Sequence, residues 1–474
     1  MKARRLISVG LSAALLMGLT ACTDEEPAVG GNEPSAPSAS QAVPATTSGV
    51  PSTMKEDDKE AMAGIEVKDE KKLENPTVKW LSFWDINPVN GKAVPVHLEM
   101  FENVYGGKIE YIQTTFDDKY DKLGTMIASG DSPDMFPAAD LDTFPKGAAA
   151  KMFEPLDDYI DFDSDLWKDM SVVNDRFVYN GGHYVGATGT DAGTVMIYNQ
   201  KTIENNNIED PQELLANGNW TWDTFNEMMN NFCDKDEKKY AIDGWWFVWA
   251  FSATTGVPII EMKDGKAVHN LNNALIEKSQ EFMKNMYTNN YPYPKWEYNW
   301  QINPSNISNG NTLFYPCGMW SLYEADLSDY GDTKDIRFVP MPRCPYADEY
   351  YLPTGLEAYS LCKGAQNPEG VAAFLNCGRI TRNDDTAKEI SKKQLFEDYK
   401  WSEEMYNCLE TVQDLTEKHP VIDLYAGVSA QCKELLNNPV KDSFNNGASW
   451  TQTRESIIPA VQAELDTVNA RLNS

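Results

Sequence analysis

Flat aromatic rings and hydrogen-bonding carboxylates stand out among the residues of this chain that could do chemistry. The sequence has 13 tryptophans and 22 tyrosines, and its densest aromatic cluster runs from Gly244 to Phe251 (GWWFVWAF). Aromatic rings stack on C–H faces, while Asp, Glu, Asn and Arg make paired hydrogen bonds with hydroxyl groups. Together these residue types favour the non-covalent recognition of a polyhydroxylated molecule.

The sequence lacks signatures of catalysis and of metal binding. No H-E-x-x-H, G-x-S-x-G or G-x-x-x-x-G-K-[ST] motif occurs, and the seven cysteines beyond Cys22 include no C-x-x-C pair. The segment from Asp161 to Asp165 begins like a calcium loop, but it has Val172 at the twelfth position and is interpreted as a solvated acidic turn. The four histidines lack the spacing of metal ligands: His97, His183, His269 and His419. We expect no metal and no cofactor.

The charge of the chain limits its partners. The formal net charge is −31, from 41 basic and 72 acidic residues. Such a surface repels phosphate backbones, so we expect no binding of nucleic acid. The same charge argues only weakly against anionic ligands, because a local basic pocket is compatible with it.

The N-terminus has the features of an export signal. A positive region that ends at Arg5 precedes an apolar stretch from Leu6 to Leu19, which is shorter than the ~20 residues of a membrane-spanning helix. The next residues, Leu19-Thr20-Ala21-Cys22, resemble the bacterial lipobox. We therefore predict a signal peptide over residues 1–22 and a lipid anchor at Cys22, with ordinary secretion as the alternative.

Residues 23–75 are predicted to form a flexible tether. They are poor in aromatic residues and rich first in Pro, Ser, Ala, Thr and Gly, and then in Glu, Asp and Lys. This composition cannot bury enough apolar surface to fold. The part from Lys55 to Lys72 shows no apolar stripe, so only transient helix is expected there and order is expected to begin near Thr77. The remaining chain of about 400 residues suggests two domains.

Alternating strand and helix patterns predict an α/β fold, with a largely parallel sheet and helices on both of its faces. The β-α-β-α-β rhythm at the start of the ordered region is repeated further along the chain. The predicted strands lie at 78–84, 108–113, 134–137, 194–198, 311–316, 336–341 and 357–362, and the predicted helices lie at 94–105, 120–129, 211–232, 273–287, from 368 onward and at 458–472.

Four segments in a fixed order carry a resemblance to a known family. They are Tyr120 to Asp134 with the following Met-Phe, Gly182 to Gly186 with Val195 to Asn199, Pro211 to Phe232, and Cys317-Gly-Met-Trp320. These segments are similar to the family's helix with A-x-G-x-x-P-D, its G-K-x-Y-G…L-x-Y-N-K run, its P-x-T-W-x-E helix pair and its late G-x-W. By these features the chain, from about Val78 to its C-terminus, resembles the extracellular solute-binding proteins of sugar ABC importers, the maltodextrin-binding type included.

The resemblance implies a periplasmic-binding-protein-like type II fold, in which two α/β lobes are joined by a hinge and close on a ligand in the cleft between them. Lobe one would comprise residues 76–188 and 350–412, and lobe two residues 189–349 and 413–474. The resemblance further implies a protein that is not an enzyme, and the lipobox places it as a lipoprotein on the outer face of the cell membrane. We expect a monomer, because a closing cleft needs no partner. It would capture an extracellular carbohydrate and deliver it to ABC permease subunits.

The resemblance also assigns ligand-binding residues at the predicted cleft. The loop after the first strand contributes Trp84 and Asp85, where a core position for Trp84 is the alternative. Asp140 follows the third strand, where a helix N-cap is the alternative. Asp191 lies where the chain first crosses between the lobes.

Further aromatic and polar residues complete the predicted site. One or two of Trp245, Trp246 and Trp249 would contact the ligand, with core packing as the alternative. Trp320 matches the G-x-W, whose ring stacks on ligand in the family. Glu357 and Tyr359 lie in a strand expected to re-enter lobe one, where bonding to the hinge backbone is the alternative. The last residue of the predicted set is Trp450.

The sequence leaves three other functions open. A peptide, polyamine or metal chelate would suit the same fold, because fold alone does not fix the ligand. A surface glycosidase with two carboxylates is compatible with the abundance of acidic residues. A glycan-tethering protein without a transporter would need the same aromatic site.

Overall fold

The computed structural model describes residues 52–67, 71–88, 91–244, 247–294, 304–323, 327 and 330–473. The predicted signal peptide, its anchor Cys22, residues 23–51 of the tether, and both Trp245 and Trp246 lie outside the described residues. None of the helices within the described ranges combines the length and the apolar character needed to cross a membrane.

Strands and helices alternate along most of the described chain. The strands are β1 (Thr77–Ser82), β2 (Lys108–Gln113), β3 (Met135–Pro137), β4 (Phe153–Glu154), β5 (Val178–Tyr179), β6 (Gly182–His183), β7 (Gly186–Ala192), β8 (Val195–Asn199), β9 (Tyr240–Ile242), β10 (Ile260–Lys263), β11 (Lys266–His269), β12 (Thr312–Cys317), β13 (Ile336–Pro340), β14 (Leu352–Cys362) and β15 (Pro420–Val421).

The α-helices include most of those predicted. They are α1 (Glu56–Met62), α2 (Val96–Tyr105), α3 (Lys119–Ser129), α4 (Lys146–Ala149), α5 (Ser171–Asn174), α6 (Gln200–Asn205), α7 (Pro211–Ala216), α8 (Trp222–Phe232), α9 (Val248–Ala253), α10 (Ala274–Thr288), α11 (Ser305–Ser308), α12 (Pro368–Asn383), α13 (Asp385–Asp398), α14 (Glu403–Lys418), α15 (Tyr425–Val428), α16 (Ala430–Asn437), α17 (Asp442–Asn446) and α18 (Trp450–Leu472).

The first sheet has the order β15-β14-β3-β1-β2, with β4 and β7 also paired to β14. Strands β2, β1 and β3 are parallel, as predicted, whereas β14 runs antiparallel to β3. Val78 and Trp80 of β1 pack against α2 and α12, while Leu81 packs with Leu123 of α3. The sheet is therefore covered by helices on both faces, which confirms the prediction for this region.

The second sheet has the order β13-β8-β12-β9 and is mainly antiparallel, since only β12 and β9 run in parallel. The predicted parallel arrangement is therefore wrong for this sheet. Parallel neighbouring strands are usually joined by a strand–helix–strand crossover. Strands β8 and β12 are separated by more than a hundred residues, so no such crossover constrains them to run in parallel.

Local sequence signals explain where several helices begin and end. Gly130 follows α3 with φ 76°, the left-handed conformation that glycine adopts without steric cost. Asp210 and Asn367 each cap a helix with a side-chain oxygen that accepts a backbone N–H, and each is followed by proline at the first helical position. Pro459, predicted near the start of the last helix, lies inside α18 instead.

The chain passes between the two sheets through the antiparallel pair of β7 and β14. Strand β7 ends at Ala192, and two residues separate it from the start of β8 in the second sheet. Strand β14 is the long strand by which the chain returns to the first sheet. We call this pair the crossing ribbon.

The end of the predicted tether is ordered, which corrects the prediction that order begins near Thr77. Helix α1 is flanked by Met54, Ile65 and Val67, which are buried in the core of the first sheet. Lys55 also pairs with Glu397 of α13 at 2.5 Å. The three apolar residues are not spaced with the period of a helix or of a strand, so the sequence contains no apolar stripe that would predict their burial.

The distribution of apolar clusters differs from the predicted lobe limits. Trp401 and residues of α14 such as Met405 and Val412 pack in the core of the second sheet, although residues 350–412 were predicted in lobe one. The C-terminal residues 422–468 share a third cluster with residues on either side of the crossing ribbon, from Ala138 to Ala187 and from Ile259 to Ile276.

Candidate functional site

The crossing ribbon positions two predicted carboxylates close to one arginine. In the register of the ribbon, Gly355 is opposite Asp191 and Glu357 is opposite Gly189. Arg382 reaches the ribbon from α12, and its Nη2 donates to Glu357 Oε2 at 3.1 Å. The guanidinium lies directly on the ribbon, because a Cβ built at Gly189 would be 2.8 Å from its Cζ and Nε.

The two carboxylates respond differently to this environment. Burial raises the pKa of Asp191 to about 7, against the opposing influence of Arg382. Burial also acts to raise the pKa of Glu357, but its hydrogen bond and charge interaction with Arg382 outweigh burial and leave the pKa below its ordinary value. Glu357 is therefore the ionised partner of Arg382, whereas Asp191 titrates near neutral pH.

Tyr323 connects this arginine to the second sheet. It lies in the 3-10 turn Met319–Tyr323, and burial followed by the charge of Asp191 raises its pKa well above the ordinary value. Its ring stacks on Trp401 with centroids 5.2 Å apart, and Trp401 Nε1 donates to Leu322 O at 2.7 Å. We call Asp191, Glu357, Arg382 and Tyr323 the hinge cluster.

The predicted Trp320 lies in the same 3-10 turn, three residues before Tyr323. Its ring is partly buried against the core of the second sheet. Gly318 of the G-x-W segment leaves room for the indole, since a Cβ there would overlap its Nε1 and Cδ1. The motif thus fixes the position of the Trp320 ring.

The predicted aromatic residues of the first sheet form one edge-to-face series. The rings of Trp84 and Tyr359 lie 5.4 Å and 5.6 Å from Trp80, and Trp80 Nε1 donates to the carbonyl of Trp84 at 3.0 Å. Trp84 is only 8% exposed, so its ring belongs to the core. Asp85 accepts from Asn87 N and Nδ2 at 2.9 Å and 2.8 Å, which stabilises the turn after β1.

The predicted Asp140 belongs to a second charged group, on α3 and the loop after β3. Lys119 is 1% exposed, and its Nζ lies 2.8 Å from both Asp140 Oδ2 and Asp142 Oδ2. Burial lowers the pKa of Lys119, but the two carboxylates outweigh burial and the pKa lies above its ordinary value. The ammonium is therefore charged. Asp142 Oδ1 is buried and has no hydrogen-bond partner among the described residues.

Two further lysines lie near this group, since the charge of Lys146 acts on Asp142 and the charge of Lys433 acts on Lys146. Lys146 Nζ donates to Ala426 O at 3.1 Å and lies 4.5 Å from the centroid of Tyr120. Lys433 of α16 lies 5.1 Å from the centroid of Phe116. We call Lys119, Lys146, Lys433, Asp140 and Asp142 the lysine cluster.

Two pairs of aromatic rings border the lysine cluster. Phe116 and Phe83 meet edge to face with centroids 5.2 Å apart, and Lys119 Nζ lies 4.5 Å from the centroid of Phe116. Trp249 stacks on Tyr425, with centroids 4.1 Å apart and an interplanar angle of 9°. Tyr425 directly precedes Ala426, the acceptor of Lys146, so the predicted Trp249 is joined to the lysine cluster through α15.

Trp249 and Trp450 share one unusual property. The Nε1 of each is buried and has no hydrogen-bond partner within the described part of the chain. Both rings belong to or pack against the third apolar cluster, and Trp450 is the first residue of α18. Neither ring contacts Trp320 or Trp84 through any ring pair found in the described residues.

The structure thus collects the predicted residues at two places instead of one. Asp191 and Glu357 share Arg382, with Trp320 in the adjoining turn, whereas Asp140 and Trp249 belong to the lysine cluster and its border. A cavity of about 580 Å³ lies elsewhere, between Asp157 and His183, and it contains none of the predicted residues. No described group of three or more His, Cys, Asp or Glu residues is arranged to hold a metal ion.

Sequence reasoning missed the basic residues of both clusters. Arg382 had a recognisable signal, because Arg379 and Arg382 are spaced i, i+3 in the predicted helix of a strongly acidic chain. Asp140 and Asp142, which follow a predicted strand, likewise signal that a cation is needed nearby. Lys433 had no signal, since its approach depends on the packing of α16.

The chain belongs to the bacterial extracellular solute-binding protein family, whose model matches residues 87–378, more than half of the chain. This match confirms the resemblance drawn from the four segments. The members of the family bind solutes outside the cytoplasm and are not enzymes. Among curated protein sequences, none matches this chain significantly.

Solved structures similar to this chain confirm the type II fold with its two α/β lobes. An ABC substrate-binding protein from Listeria monocytogenes, solved with cycloalternan, has a TM-score of 0.53 and 17% identity over 84% of this chain and 98% of that chain. The GacH receptor of Streptomyces glaucescens, solved unliganded and with acarbose, has a TM-score of 0.57 and 12% identity over 82% and 98%. UgpB from Mycobacterium tuberculosis, solved with glycerophosphocholine, has a TM-score of 0.55 and 15% identity over 78% and 94%.

Proposed function

We propose that this protein captures a carbohydrate, an oligosaccharide in preference to a single sugar, in the cleft between its two lobes. The observation that carries the proposal is the stack of Trp249 on Tyr425 beside the lysine cluster. That arrangement offers flat rings for the C–H faces of sugar rings, and carboxylate and ammonium groups for their hydroxyls. Cycloalternan and acarbose, bound by two similar structures, are consistent with this ligand class.

The hinge cluster serves the closing of the lobes in this proposal. Tyr323 approaches Asp191 and Arg382 from the second sheet, while Glu357 and Arg382 lie on the first. A ligand that contacts both sides shifts the population toward the closed form by its differential affinity for that form. Trp320 lies in the same turn as Tyr323. It would move with this turn when the lobes close, and its ring would stack on the ligand.

The anchoring and the partners are part of the same proposal. Cys22 would carry a lipid that holds the protein on the outer face of the cell membrane, and the tether would extend from it to α1. Permease subunits of an ABC importer would recognise the closed form of a monomeric protein and accept the sugar. Catalysis has no role in this proposal.

A ligand panel tests the proposed function. The purified full-length protein is titrated with mono- and oligosaccharides and with glycerophosphocholine, while tryptophan fluorescence and melting temperature are followed. A ligand that binds only the folded state stabilises it by about 2.7 kcal/mol at about 100 times Kd. We expect saturable shifts with one class of oligosaccharide, lost in Trp249→Ala and Trp320→Ala.

The control variant is Tyr346→Ala, because this ring is 59% exposed and belongs to neither cluster. We expect its binding to equal that of the unmodified protein. The proposal would be contradicted if no sugar, up to millimolar concentration, changed the fluorescence or the melting temperature. A response to glycerophosphocholine alone would show that the protein captures a different class of solute.

A further inference from the structure

The lysine cluster is a local excess of positive charge in a strongly acidic chain. Its three lysines and two aspartates carry a formal charge of +1, whereas the whole chain carries −31. Lys119, Lys146 and Lys433 repel one another, and the charges of Lys119 and Lys433, together with burial as the largest cause, lower the pKa of Lys146. Such a concentration of like charge persists at a cost unless an anion offsets it.

The three ammonium groups differ in how fully they are paired. Lys119 is paired with two carboxylates, and Lys146 has one carbonyl acceptor in Ala426. Lys433 is partly buried and makes no ion pair and no side-chain hydrogen bond with any described residue. Its contact is with the Phe116 ring, which leaves the donors of the ammonium available to a ligand.

The position of Phe116 connects this available cation to the proposed sugar site. The ring is partly buried, lies edge to face on Phe83 and has both Lys119 and Lys433 within cation–π range. Asp140 is held beside it through Lys119, where it can accept hydroxyl hydrogens. A sugar ring placed at Phe116 would therefore meet an aromatic face, a carboxylate and an unpaired ammonium together.

We propose that the captured carbohydrate carries an anionic group, and that Lys433, supported by Lys146, forms the ion pair with that group beside Phe116. This inference rests on the proposed function and narrows its ligand class. The anion is a carboxylate, a sulfate ester or a phosphate ester, since each offers the oxygens that an ammonium pairs with. A neutral sugar would leave Lys433 without an acceptor in a partly desolvated position.

The test uses sugars matched in everything but charge. Oligogalacturonate is compared with its methyl ester, a sulfated disaccharide with its desulfated form, and a sugar phosphate with the free sugar. Each is titrated calorimetrically into the full-length protein at low and at high salt. We expect the charged member of one pair to bind at least about tenfold more tightly, a free-energy difference of about 1.4 kcal/mol, with the preference shrinking at high salt.

Lys433→Gln is the decisive variant, because glutamine keeps a polar side chain with N–H donors, one atom shorter than lysine, but removes the charge. The preference should fall below about threefold, with the melting temperature unchanged. Lys388→Gln is the control, since this lysine is exposed and, among the described residues, forms an ion pair only with Asp385 one turn away. Its preference should equal that of the unmodified protein.

Each outcome bears on one proposal or on both. Equal binding of charged and neutral sugars, or a charge preference that survives in Lys433→Gln, overturns this inference and leaves carbohydrate capture intact. Failure of every sugar to bind overturns carbohydrate capture and this inference together. A preference for one charged pair, lost in Lys433→Gln alone, supports both proposals and identifies the anion.

Discussion

The hinge cluster and the lysine cluster both place one cation between two carboxylates, but they differ in what surrounds that centre. Arg382 lies on the crossing ribbon, and the two acids it serves are fixed by strand pairing. Lys119 lies on a helix, and its acids come from a single loop that two more lysines approach. With all carboxylates ionised, the hinge cluster has a formal charge of −1 and the lysine cluster a formal charge of +1; protonation of Asp191, whose pKa is about 7, makes the hinge cluster neutral.

This difference separates a structural role from a recognition role. A planar guanidinium on paired strands gives two fixed hydrogen-bond directions, which suits a joint that must keep its register. Ammonium groups on flexible stems, beside partly exposed rings, can adjust to an incoming ligand. We therefore assign a role in folding stability mainly to the hinge cluster, and recognition of the charge on the ligand mainly to the lysine cluster.

Removing Arg382 should have the largest effect on stability. Arg382→Met leaves Glu357 partly buried without its counter-ion, and breaking such a pair is expected to cost about 3 kcal/mol. Chemical denaturation measures the loss. The control is Lys418→Met, whose ion pair with Asp414 at 2.6 Å is well exposed and should cost no more than about 1 kcal/mol. Equal losses would show that the crossing ribbon has no special dependence on its arginine.

Removing Lys119 should cost less, although it is the more buried of the two cations. Lys119→Met leaves Asp140 and Asp142 without their shared partner, but Lys146 remains close enough to offset part of the charge. We expect a loss of about 2 kcal/mol in the free energy of unfolding, together with weaker ligand binding. A loss of stability larger than that of Arg382→Met would reverse the assignment of roles.

A methyl group on the crossing ribbon tests the contact with Arg382 directly. Gly189→Ala places Cβ 2.8 Å from the guanidinium, so the arginine must shift, at an expected cost of about 1–2 kcal/mol. Gly124→Ala in α3 is the control, because its Cβ meets nothing within 4 Å; it should stabilise the protein by about 0.5–1 kcal/mol. Thermal melts of the two variants should therefore move in opposite directions.

The titration of Asp191 should have the smallest effect on folding stability, and its pKa defines the pH range in which stability changes. In the unfolded chain Asp ionises near pH ~4, but in the folded protein the pKa of Asp191 is about 7. Between these values the folded state keeps a proton that the unfolded state has lost, so stability falls as pH rises through the window. Asp191→Asn keeps the acceptor for Ala192 N and should reduce that fall.

The exposed Asp165 is the reference for this experiment, with a side chain that is 80% exposed. Asp165→Asn should leave the pH dependence of the melting temperature as it is in the unmodified protein. If Asp191→Asn also leaves the pH dependence of the melting temperature unchanged, burial at the crossing ribbon does not raise the pKa of Asp191.

Sequence patterns predicted the structure correctly where interactions between residues close in sequence determine it. Strand β2 and helix α2 were predicted because their periodicity and flanking glycines act within a few residues. The resemblance predicted Asp191 in the loop before β8 and Glu357 on a strand near the hinge, whereas in the structure both lie on the crossing ribbon. The cations could not be placed in the same way, because Arg382 and Lys119 acquire their partners from segments at least 20 residues away. The packing of Met54 and Ile65 likewise depends on surfaces that no local pattern describes.

The location of the ligand site is tested by hydrogen–deuterium exchange of the full-length protein, with and without a saturating oligosaccharide identified in the panel. We expect slower exchange in peptides around Phe116, Asp140, Trp249 and Tyr425, and little change in the segment from Asp157 to Asp175. Protection confined to that segment, beside the cavity of about 580 Å³, would contradict the assignment of the ligand site. Protection at neither place would contradict capture of the sugar between the lobes.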